Sequence, residues 1–517
     1  MKTLKKLTNL FISLFMVFAL TTTVFAGGDD TTGASTTETG TTGAVKNSLM
    51  INNTGNTAHT FELYQIFTGD YSNGTLSNIK WGNGVTEAGQ TALGDASTKA
   101  GNITDATTFA NEVKQYLTNA TTSTSVAAGS SYTFDNLAAG YYLVKDQDRS
   151  QANTEGSYTS YIVQVVGSVT QNTKLDVPTV VKKVKDTNDS TGATTDWQDS
   201  ADYDIGDAVP YQITGTLPSN IDKYTTYKYV FTDNMSKGLT YTAKNATIKI
   251  GDTDKIGDTD VTSSFTETVT KNTDGTTTVT WSCDNLKGIN GVTLIKDLTV
   301  VVTYNCTLNE NAVIGSAGNP NTVNLTFSNN PNKGGEDETG KTPDDKNIVF
   351  TYKVVVNKFD QDNKALAGAA FTLSKVNAGT TSTVVKTFTV TGNAETDATT
   401  FTATGLDDGT YVLKETKTPA GYNTIADQYF TITAEHDAKA DNPTLKSLSG
   451  NKITGSAQTT IEFQADKGTG SLTTNVVNQK GSTLPSTGGI GTTIFYVAGC
   501  ALVVLAGVMI TARRRAN

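Results

Sequence analysis

Apolar and polar residues alternate along most of this chain, and an alternation with a period of two is the pattern of a half-buried β-strand. Val300, Val302 and Tyr304 follow it, and clusters of turn residues separate such runs at short intervals. Residues 272–275, Asn-Thr-Asp-Gly between two runs rich in Thr and Val, predict a hairpin turn. Strand after strand with short turns predicts an all-β chain made of sandwich domains.

Two polar stretches divide this pattern. The alternation is interrupted near residues 171–177 and 334–347, where Gly, Asp and other polar residues are frequent and prolines stand nearby. The predicted domains are therefore residues 46–173, 174–345 and 346–480. The fold class that follows is three tandem immunoglobulin-like β-sandwiches.

Two shorter patterns add detail to this division. A helix is predicted around residues 106–117, where Phe109 and Val113 lie four residues apart. Residues 134–146 parallel residues 405–415, since each segment has a strand pattern on both sides of a short turn. The first and third domains are therefore expected to share a strand-turn-strand plan.

The first residues have the composition of an export signal. Lys2, Lys5 and Lys6 precede an apolar run, and small residues follow it. This order predicts a secretory signal peptide over residues 1–26. Residues 27–45 are rich in Thr, Gly and Asp, cannot pack a core, and are predicted to be a flexible leader.

The last residues, 484–517, predict a tail that anchors the precursor in a membrane. Residues 494–512 are apolar and long enough for a helix to span a bilayer, and three arginines follow them. The positive-inside rule keeps those arginines in the cytoplasm, so the domains before the span are exported. A pentapeptide precedes the span: Leu484, Pro485, Ser486, Thr487 and Gly488.

Composition argues against several functions. The net charge is -10 and the isoelectric point is near 4.9, which argues against nucleic acid as a partner because that partner demands a basic surface. The two histidines, His59 and His436, stand in no zinc or nucleophile motif, so neither an enzyme nor a cofactor is predicted. Residues 186–189 and 252–260 are acidic, but neither segment fits the twelve-residue calcium loop, and no metal site is predicted.

Cysteine is scarce in this chain. Of the three cysteines, Cys500 lies in the apolar span, which leaves Cys283 and Cys306. Both have the parity of apolar neighbours, so a disulfide between them is a candidate. If their strands were antiparallel neighbours, however, the two cysteines would lie at the far ends of those strands. Two free thiols are therefore the alternative. Any further covalent staple in this exported chain must come from other residues.

Three polar residues of the third predicted domain share strand faces with apolar residues. Lys358 has the parity of the apolar residues in its strand pattern. The same is true of Glu415 and of Asn478, each in its own strand pattern. A buried charge is costly, so such groups either pair or become neutral. Burial lowers the pKa of a lysine and raises that of a carboxylic acid, and a neutral amine is a nucleophile.

The second predicted domain repeats this arrangement. Lys182, Asp233 and Asn321 each have the parity of apolar neighbours in a strand pattern. Lys183 and Asn324 are alternatives on the opposite faces. The pattern therefore predicts a lysine, a carboxyl and an amide inside this core as well.

The third domain resembles the B-type repeat domain of collagen adhesins and Gram-positive pilins. The resemblance rests on Lys358 in the first strand, on residues 411–422, which read Y-V-L-K-E-T-K-T-P-A-G-Y, and on a terminal Val-Val-Asn. It implies that Lys358 attacks the side-chain amide of Asn478, which expels ammonia and leaves an isopeptide bond. Glu415, protonated, would polarise the amide and shuttle protons.

The second domain resembles the A-type collagen-adhesin domain, in which an aspartate in a strand is followed by a Gly-Leu turn. Here Asp233 is followed by Gly238 and Leu239. The resemblance implies an isopeptide bond from Lys182 to Asn321, with Asp233 as the catalyst.

The first domain is similar to the N-terminal domain of backbone pilins in residues 64–69 and 79–84. It departs from the other two domains because Asp146 stands where the repeat has glutamate, and no lysine and asparagine frame it. No crosslink is predicted there, so this domain is expected to be the labile one.

The tail resembles the cell-wall sorting signal, an L-P-x-T-G pentapeptide that sortases cut between Thr and Gly. The resemblance implies that Thr487 becomes an acyl donor to a lysine of another subunit. Shaft pilins carry that lysine at the end of the first domain, and residues 169–174 place Lys174 there. Lys182 and Lys183 are competing sites.

Together these resemblances imply a secreted, cell-wall-anchored shaft subunit of an extracellular pilus, linked from Thr487 of one copy to Lys174 of the next. The implied partners are a pilus-specific sortase, other copies of this chain, accessory or tip pilins, and peptidoglycan. Contact with the membrane is limited to the C-terminal helix of the precursor. The alternative is a monomeric or accessory wall-anchored adhesin that binds host or matrix ligands through its first domain.

Overall fold

The structure, a computed structural model, describes most of the three predicted domains. The described residues are 47–72, 75–252, 259–335, 338–377, 383–453 and 461–481. The predicted signal peptide, leader, sorting pentapeptide, apolar span and basic tail all lie outside these ranges. Within these ranges, no helix combines the length and the apolar composition that crossing a bilayer requires.

The first domain is a pair of β-sheets. Its described strands are β1 (Asn47–Asn52), β2 (Phe61–Ser72), β3 (Thr75–Trp81), β4 (Thr121–Thr122), β5 (Ser131–Leu137), β6 (Gly140–Asp146), β7 (Ser160–Val165) and β8 (Ser168–Asn172). One sheet has the order β5-β1-β8, and the other has the order β3-β2-β6-β7 with β4 beside β2. Leu49, Phe61 and Val144 are buried together in the core.

Three helices lie beside the sheets of this domain: α1 (Glu87–Leu93), α2 (Ala96–Asn102) and α3 (Ala106–Val113). Helix α2 packs against β3, α3 packs against β7, and α1 packs against α2. The side chain of Asp105 accepts hydrogen bonds from the backbone N–H groups of Thr107 and Thr108, which caps α3. Phe109 and Val113 are buried in a second core, so the predicted helix is confirmed. Helices α1 and α2 were not predicted, because seven residues are fewer than the window in which a helical period is recognisable.

The second domain has two facing sheets and a short hairpin. Its described strands are β9 (Val180–Val184), β10 (Thr187–Asn188), β11 (Ala193–Thr194), β12 (Ser200–Asp202), β13 (Ala208–Thr216), β14 (Tyr229–Met235), β15 (Leu239–Tyr241), β16 (Thr247–Asp252), β17 (Thr259–Asp260), β18 (Thr266–Lys271), β19 (Thr277–Cys283), β20 (Leu298–Leu308), β21 (Asn319–Ser328), β22 (Thr339–Lys341) and β23 (Asp345–Phe350). One sheet has the order β17-β16-β20-β13-β9, with β15 beside β20. The other has the order β12-β23-β21-β14-β19-β18, with β22 beside β21.

The third domain is also a two-sheet sandwich. Its described strands are β24 (Tyr352–Asp360), β25 (Ala370–Val376), β26 (Val384–Phe388), β27 (Val390–Thr391), β28 (Thr400–Leu406), β29 (Gly409–Lys417), β30 (Gln428–His436), β31 (Leu445–Lys452), β32 (Phe463–Asp466) and β33 (Ser471–Asn478). The sheet orders are β27-β28-β24-β33-β32 and β26-β25-β29-β30-β31. The first strand, β24, and the last strand, β33, are therefore parallel neighbours.

Two local predictions are confirmed by these strands. Strands β18 and β19 pair antiparallel across residues 272–275, and Gly275 has a φ of +87°, which glycine adopts without strain. The segments that parallel each other, residues 134–146 and 405–415, have the same arrangement. The strand before the turn, β5 or β28, pairs with the first strand of its domain, and the strand after the turn, β6 or β29, lies in the opposite sheet. The two domains therefore share the expected strand-turn-strand plan.

Strand β23 marks the junction of the second and third domains. The sequence placed this boundary at residue 345, but β23 pairs with β12 and β21 of the second domain. In the structure, the second domain thus extends to Phe350, and the third begins with β24.

The candidate disulfide between Cys283 and Cys306 is wrong, since both cysteines are free and buried. Cys283 is paired with Tyr229 at one end of β19. Sγ of Cys306 lies 3.6 Å from Sδ of Met235, which is paired with Thr277 at the other end of β19. The length of β19, roughly 20 Å, therefore separates the two thiols, far beyond the reach of a disulfide.

Candidate functional site

Lys182 is fully buried in the core of the second domain. Alternate residues of β9 face inward, so Lys182 lies on the same face as Val180 and Val184. Its amine donates hydrogen bonds to Oδ1 of Asp233 at 2.8 Å and to the hydroxyl of Tyr304 at 2.5 Å. Burial lowers the pKa of Lys182, and the attraction of Asp233 offsets only part of that effect. The amine is therefore shifted toward its neutral, nucleophilic form.

Asp233 and Asn321 reach the same point from the facing sheet. Strands β14 and β21 are antiparallel neighbours in which Asp233 is paired with Val323 and Asn321 with Met235. Both polar side chains are fully buried. Nδ2 of Asn321 donates to the Tyr304 hydroxyl at 3.0 Å, and its Oδ1 has no hydrogen-bond partner among the described residues. The predicted lysine, carboxyl and amide thus converge on one point.

Tyr304 connects these three groups, and sequence reasoning did not propose it as a site residue. Its hydroxyl donates to Oδ2 of Asp233 and accepts from Lys182 and Asn321. Burial and the charge of Asp233 hold the pKa of Tyr304 well above its ordinary value, so the phenol keeps its proton. The alternation of β20 predicts that this tyrosine is buried, but not that its hydroxyl meets a lysine.

The alternative residues Lys183 and Asn324 face away from this point. The Lys183 amine pairs with Asp199, and its side chain is 32% exposed. Nδ2 of Asn324 donates to Oδ1 of Asp344 at 3.0 Å. The geometry therefore favours the first assignment over these alternatives.

Lys358 and Asn478 of the third domain lie on the adjacent, parallel strands β24 and β33, and both are fully buried. Asn478 is paired with Asp360, two residues beyond Lys358, so the two side chains project from one face. The Lys358 amine donates to the backbone carbonyl of Phe359 at 2.8 Å. Burial lowers the pKa of Lys358 to about 8, although Glu415 and Asp360 act in the opposite direction.

Glu415 reaches Asn478 from the facing sheet. Nδ2 of Asn478 donates to both carboxylate oxygens of Glu415 at 3.0 Å and to the carbonyl of Asn423 at 2.9 Å. The backbone N–H of Ile425 also donates to Glu415, at 3.0 Å. Oδ1 of Asn478, like that of Asn321, has no hydrogen-bond partner in the part of the chain that the structure describes. The acid therefore holds the amide by the nitrogen that would leave.

The first domain has a different arrangement at the corresponding place. Oδ1 of Asp146 lies 2.8 Å from Nδ1 of His59, and the backbone N–H of Thr159 donates to Oδ2 of Asp146. Burial raises the pKa of Asp146, although His59 acts in the opposite direction. No lysine among the described residues of this domain is fully buried. The residue that stands where the repeat has glutamate therefore belongs to a histidine–aspartate pair.

Lys174 lies in a cleft between the first and second domains. Its amine is 5.4 Å from the centre of the Tyr161 ring, and Lys114 and Lys223 line the same cleft. Burial and the charge of Lys223 lower the pKa of Lys174. Lys174 is half-buried, because its segment runs through this cleft.

Lys375 is a further fully buried lysine, and sequence reasoning missed it. Its amine binds Asp407 of its own domain and lies 2.8 Å from Oδ2 of Asp204 in the second domain. Burial opposes its charge, but the two carboxylates outweigh burial and raise the pKa of Lys375. Lys375 has the parity of Phe371 and Leu373, so the alternation of β25 indicates a buried side chain at this position. It forms a charged link between two domains.

Two groups of residues at this junction place possible metal-ligating atoms close together. One group is Asp186, Asp202 and His436, and the other is Asp189, Asp204, Asp207 and Asp407. In the second group the positive charge comes from Lys375 and Lys386. This group is therefore an ion-pair network between the domains.

Three family models match separate parts of the chain. The model described as "Gram-positive pilin backbone subunit 2, Cna-B-like domain" matches residues 205–331. The model described as "Prealbumin-like fold domain" matches residues 352–446, and that described as "LPXTG cell wall anchor motif" matches residues 476–517. The first description calls the matched part of the second domain Cna-B-like, whereas the sequence resemblance was to the A-type domain.

A similar sequence and a similar solved structure both come from Streptococcus pyogenes serotype M6. The trypsin-resistant surface T6 protein is 26% identical over 401 residues, which cover 66% of this chain and 70% of that protein. The solved structure of the T6 backbone pilin, which is modular and has three domains, is 19% identical, with a TM-score of 0.50. The match covers 84% of this chain and 99% of that chain. At this identity, the structural likeness shows the fold.

The tandem β-sandwiches and the anchor define the class: a modular, cell-wall-anchored surface protein with all-β domains. Within that class, the predicted resemblance is confirmed: the chain contains a domain of the Gram-positive pilin backbone type, a prealbumin-like domain and an LPXTG cell wall anchor motif. The predicted localisation, an extracellular pilus anchored in the cell wall, is confirmed with it.

Proposed function

We propose that the second and third domains are each closed by an internal isopeptide bond, which makes them covalently stabilised units of a pilus shaft. The bonds join Lys182 to Asn321 and Lys358 to Asn478. The observation that carries this proposal is the third-domain site, where both oxygens of Glu415 hold Nδ2 of Asn478 beside a buried amine with a pKa near 8. A neutral amine, an amide carbon and an acid that can protonate the leaving nitrogen are the parts that amide exchange requires.

The position of the third-domain bond suits a fibre under tension. Pulling force enters the third domain at Tyr352 and leaves after Asn478, and the strands that hold these residues are neighbours. A bond from Lys358 to Asn478 therefore carries the force directly from the first strand to the last. The strands between them bear almost none of it, so they stay folded while the shaft is stretched.

The mass of the three-domain protein, residues 47–481, tests the two bonds. It is expected to be about 34 Da below the mass of the sequence, because each bond releases one ammonia of roughly 17 Da. Asp233→Asn and Glu415→Gln should each restore about 17 Da, and together about 34 Da. Intact-mass spectrometry measures the deficit, and a tryptic digest should contain a branched peptide joining Lys358 to Asn478.

Glu435→Gln is the matched control, since Glu435 is an exposed glutamate of the third domain. This variant should keep the full deficit of the parent protein. A parent protein with the full sequence mass, and with linear peptides around both lysines, would falsify the proposal.

We further propose that subunits are joined head to tail through an amide from the Thr487 carbonyl to the Lys174 amine of the next copy. The amine must be neutral to attack an acyl-sortase, and the lowered pKa of Lys174 raises its neutral fraction. Lys182 is less suited because it is fully buried and bound to Asp233.

Lys174→Arg is expected to abolish the ladder of detergent-resistant multimers, because arginine stays protonated and cannot accept the acyl group. The measurement is a denaturing gel of cell-wall extracts from cells that express the full chain and its sortase. Lys183→Arg is the control and should leave the ladder intact, because the Lys183 amine is held by Asp199. A ladder that survives Lys174→Arg and disappears with Lys183→Arg would assign the linkage to Lys183.

A further inference from the structure

The two crosslinking sites differ in how the acid reaches the amide. In the third domain, Glu415 contacts Nδ2 of Asn478 directly with both oxygens at 3.0 Å. In the second domain, Asp233 is one methylene shorter, and no hydrogen bond joins it to Asn321 among the described residues. The hydroxyl of Tyr304 fills this gap.

We propose that Tyr304 is a catalytic residue of the second-domain site, where its hydroxyl relays protons between Lys182, Asp233 and the leaving nitrogen of Asn321. This inference rests on the proposed isopeptide function. It follows from three contacts of one oxygen: the Lys182 amine at 2.5 Å, Nδ2 of Asn321 at 3.0 Å, and Oδ2 of Asp233, to which the hydroxyl donates.

The ring of Tyr304 is fixed by other aromatic rings. It stacks on Tyr211 with ring centres 5.4 Å apart, lies 5.3 Å from Trp281, and meets Tyr241 edge-on at 5.6 Å. Only 3% of Tyr304 is exposed. A hydroxyl on a ring held in this way keeps its position during the reaction, which is what a proton relay between fixed groups requires.

The first half of the reaction removes protons from the amine. One proton passes from Nζ of Lys182 to Oδ1 of Asp233, its direct partner at 2.8 Å. The neutral amine attacks Cγ of Asn321, a C–N bond forms, and the amide carbonyl becomes a tetrahedral oxyanion. The nitrogen then loses a second proton to the Tyr304 oxygen.

The second half supplies that proton to the leaving group. As the Tyr304 oxygen accepts the proton from Nζ, it gives one to Nδ2 of Asn321, so the hydroxyl ends unchanged. The C–Nδ2 bond breaks, the carbonyl re-forms, and ammonia leaves. Ammonia carries the proton of Asp233 away as ammonium. The products are one secondary amide and one ammonium ion, which balance the starting Lys182 ammonium and Asn321 amide.

Tyr304→Phe tests the relay. The ring and its packing remain, but the hydroxyl is removed. The second-domain bond, from Lys182 to Asn321, should therefore form about 100-fold more slowly or not at all. Freshly purified three-domain protein should then show a deficit of about 17 Da instead of about 34 Da, because the third-domain bond does not involve Tyr304. Peptide mapping should recover Lys182 in a linear peptide and Lys358 in a branched one.

Tyr241→Phe is the matched control. It removes a hydroxyl from a neighbouring ring of the same core, where that hydroxyl also donates to a carboxylate, Glu267, at 2.7 Å. This variant should keep the full deficit. Loss of the second bond in both variants would mean that any disturbance of this core blocks the reaction, and it would overturn the role of Tyr304.

A double variant separates a relay from a packing role. Asp233→Glu in the Tyr304→Phe background lengthens the acid by one methylene, so that it can reach Nδ2 directly as Glu415 does in the third domain. The second bond should return, and the deficit with it. A folded double variant that stays uncrosslinked overturns the relay, as does a Tyr304→Phe variant that crosslinks at the parental rate. If the parent itself has no deficit, the proposed isopeptide function fails instead.

Discussion

Glu415→Gln is expected to lower the free energy of unfolding of the third domain by about 5 kcal/mol. Glutamine keeps the size of the side chain and an acceptor for the Ile425 N–H, but it cannot exchange protons with Lys358 and Asn478. The crosslink then does not form. The unfolded chain regains the freedom of a loop of about 120 residues, whose closure accounts for this free energy.

Calorimetry of the three-domain protein measures this effect. The melting transition of the third domain should fall by on the order of 20 °C, whereas that of the second domain should stay in place. Glu435→Gln should shift neither transition by more than about 2 °C, because substitutions at exposed positions change stability little. Equal melting of the parent and Glu415→Gln would mean that the crosslink does not stabilise this domain.

Alternation made both the sandwiches and most of the candidate sites predictable. In a strand whose inward face is otherwise apolar, a lysine with the same parity must be buried, because a shift of one residue would expose every apolar neighbour. Lys182 and Lys358 illustrate this, and both have no exposed surface. The sequence also placed Asp233 and Asn321 inside one core, and these residues converge as the pattern required.

What alternation cannot supply is the pairing of strands across the sandwich. Tyr304 has an inward parity, but its contact with Lys182 depends on which strands face each other. The disulfide prediction failed for the same reason, since Cys283 and Cys306 are both inward but lie near opposite ends of β19. The half-buried position of Lys174 depends on the packing of two domains, which a pattern within one strand does not record.

Lys375→Met is expected to lower the free energy of unfolding of the third domain by about 3–5 kcal/mol. The side chain of Lys375 has no exposed surface, and its amine lies between Asp204 and Asp407, which are equally buried. Methionine fills a similar volume but leaves two buried carboxylates without their cation. Because Asp204 belongs to the second domain, the variant should also weaken the contact between the domains, which limited proteolysis at the junction would detect.

Lys386→Met is the matched control at the same junction. The Lys386 side chain is 27% exposed, and its nearer carboxylate, Asp207 at 2.7 Å, is 22% exposed, whereas the buried Asp204 is 3.6 Å away. Water therefore compensates for much of the loss, and the expected cost is about 1 kcal/mol or less. Urea unfolding at pH 7 compares the two variants. An equal cost for both would show that the buried link contributes no more than a surface ion pair.

The cost of Lys375→Met should also depend on pH. Burial and the charge of Asp204 raise the pKa of Asp407, although Lys375 acts in the opposite direction. A carboxyl with a raised pKa holds a proton in the folded protein that the unfolded chain has already released. The free energy of unfolding is therefore highest at low pH and falls as the pH rises through the folded pKa. Removal of Lys375 raises this pKa further, and a protonated Asp407 relieves the repulsion from Asp204. Unfolding should therefore show a smaller difference between Lys375→Met and the parent near pH 4 than at pH 7, and a difference that grows toward acid pH would contradict the role of Asp407.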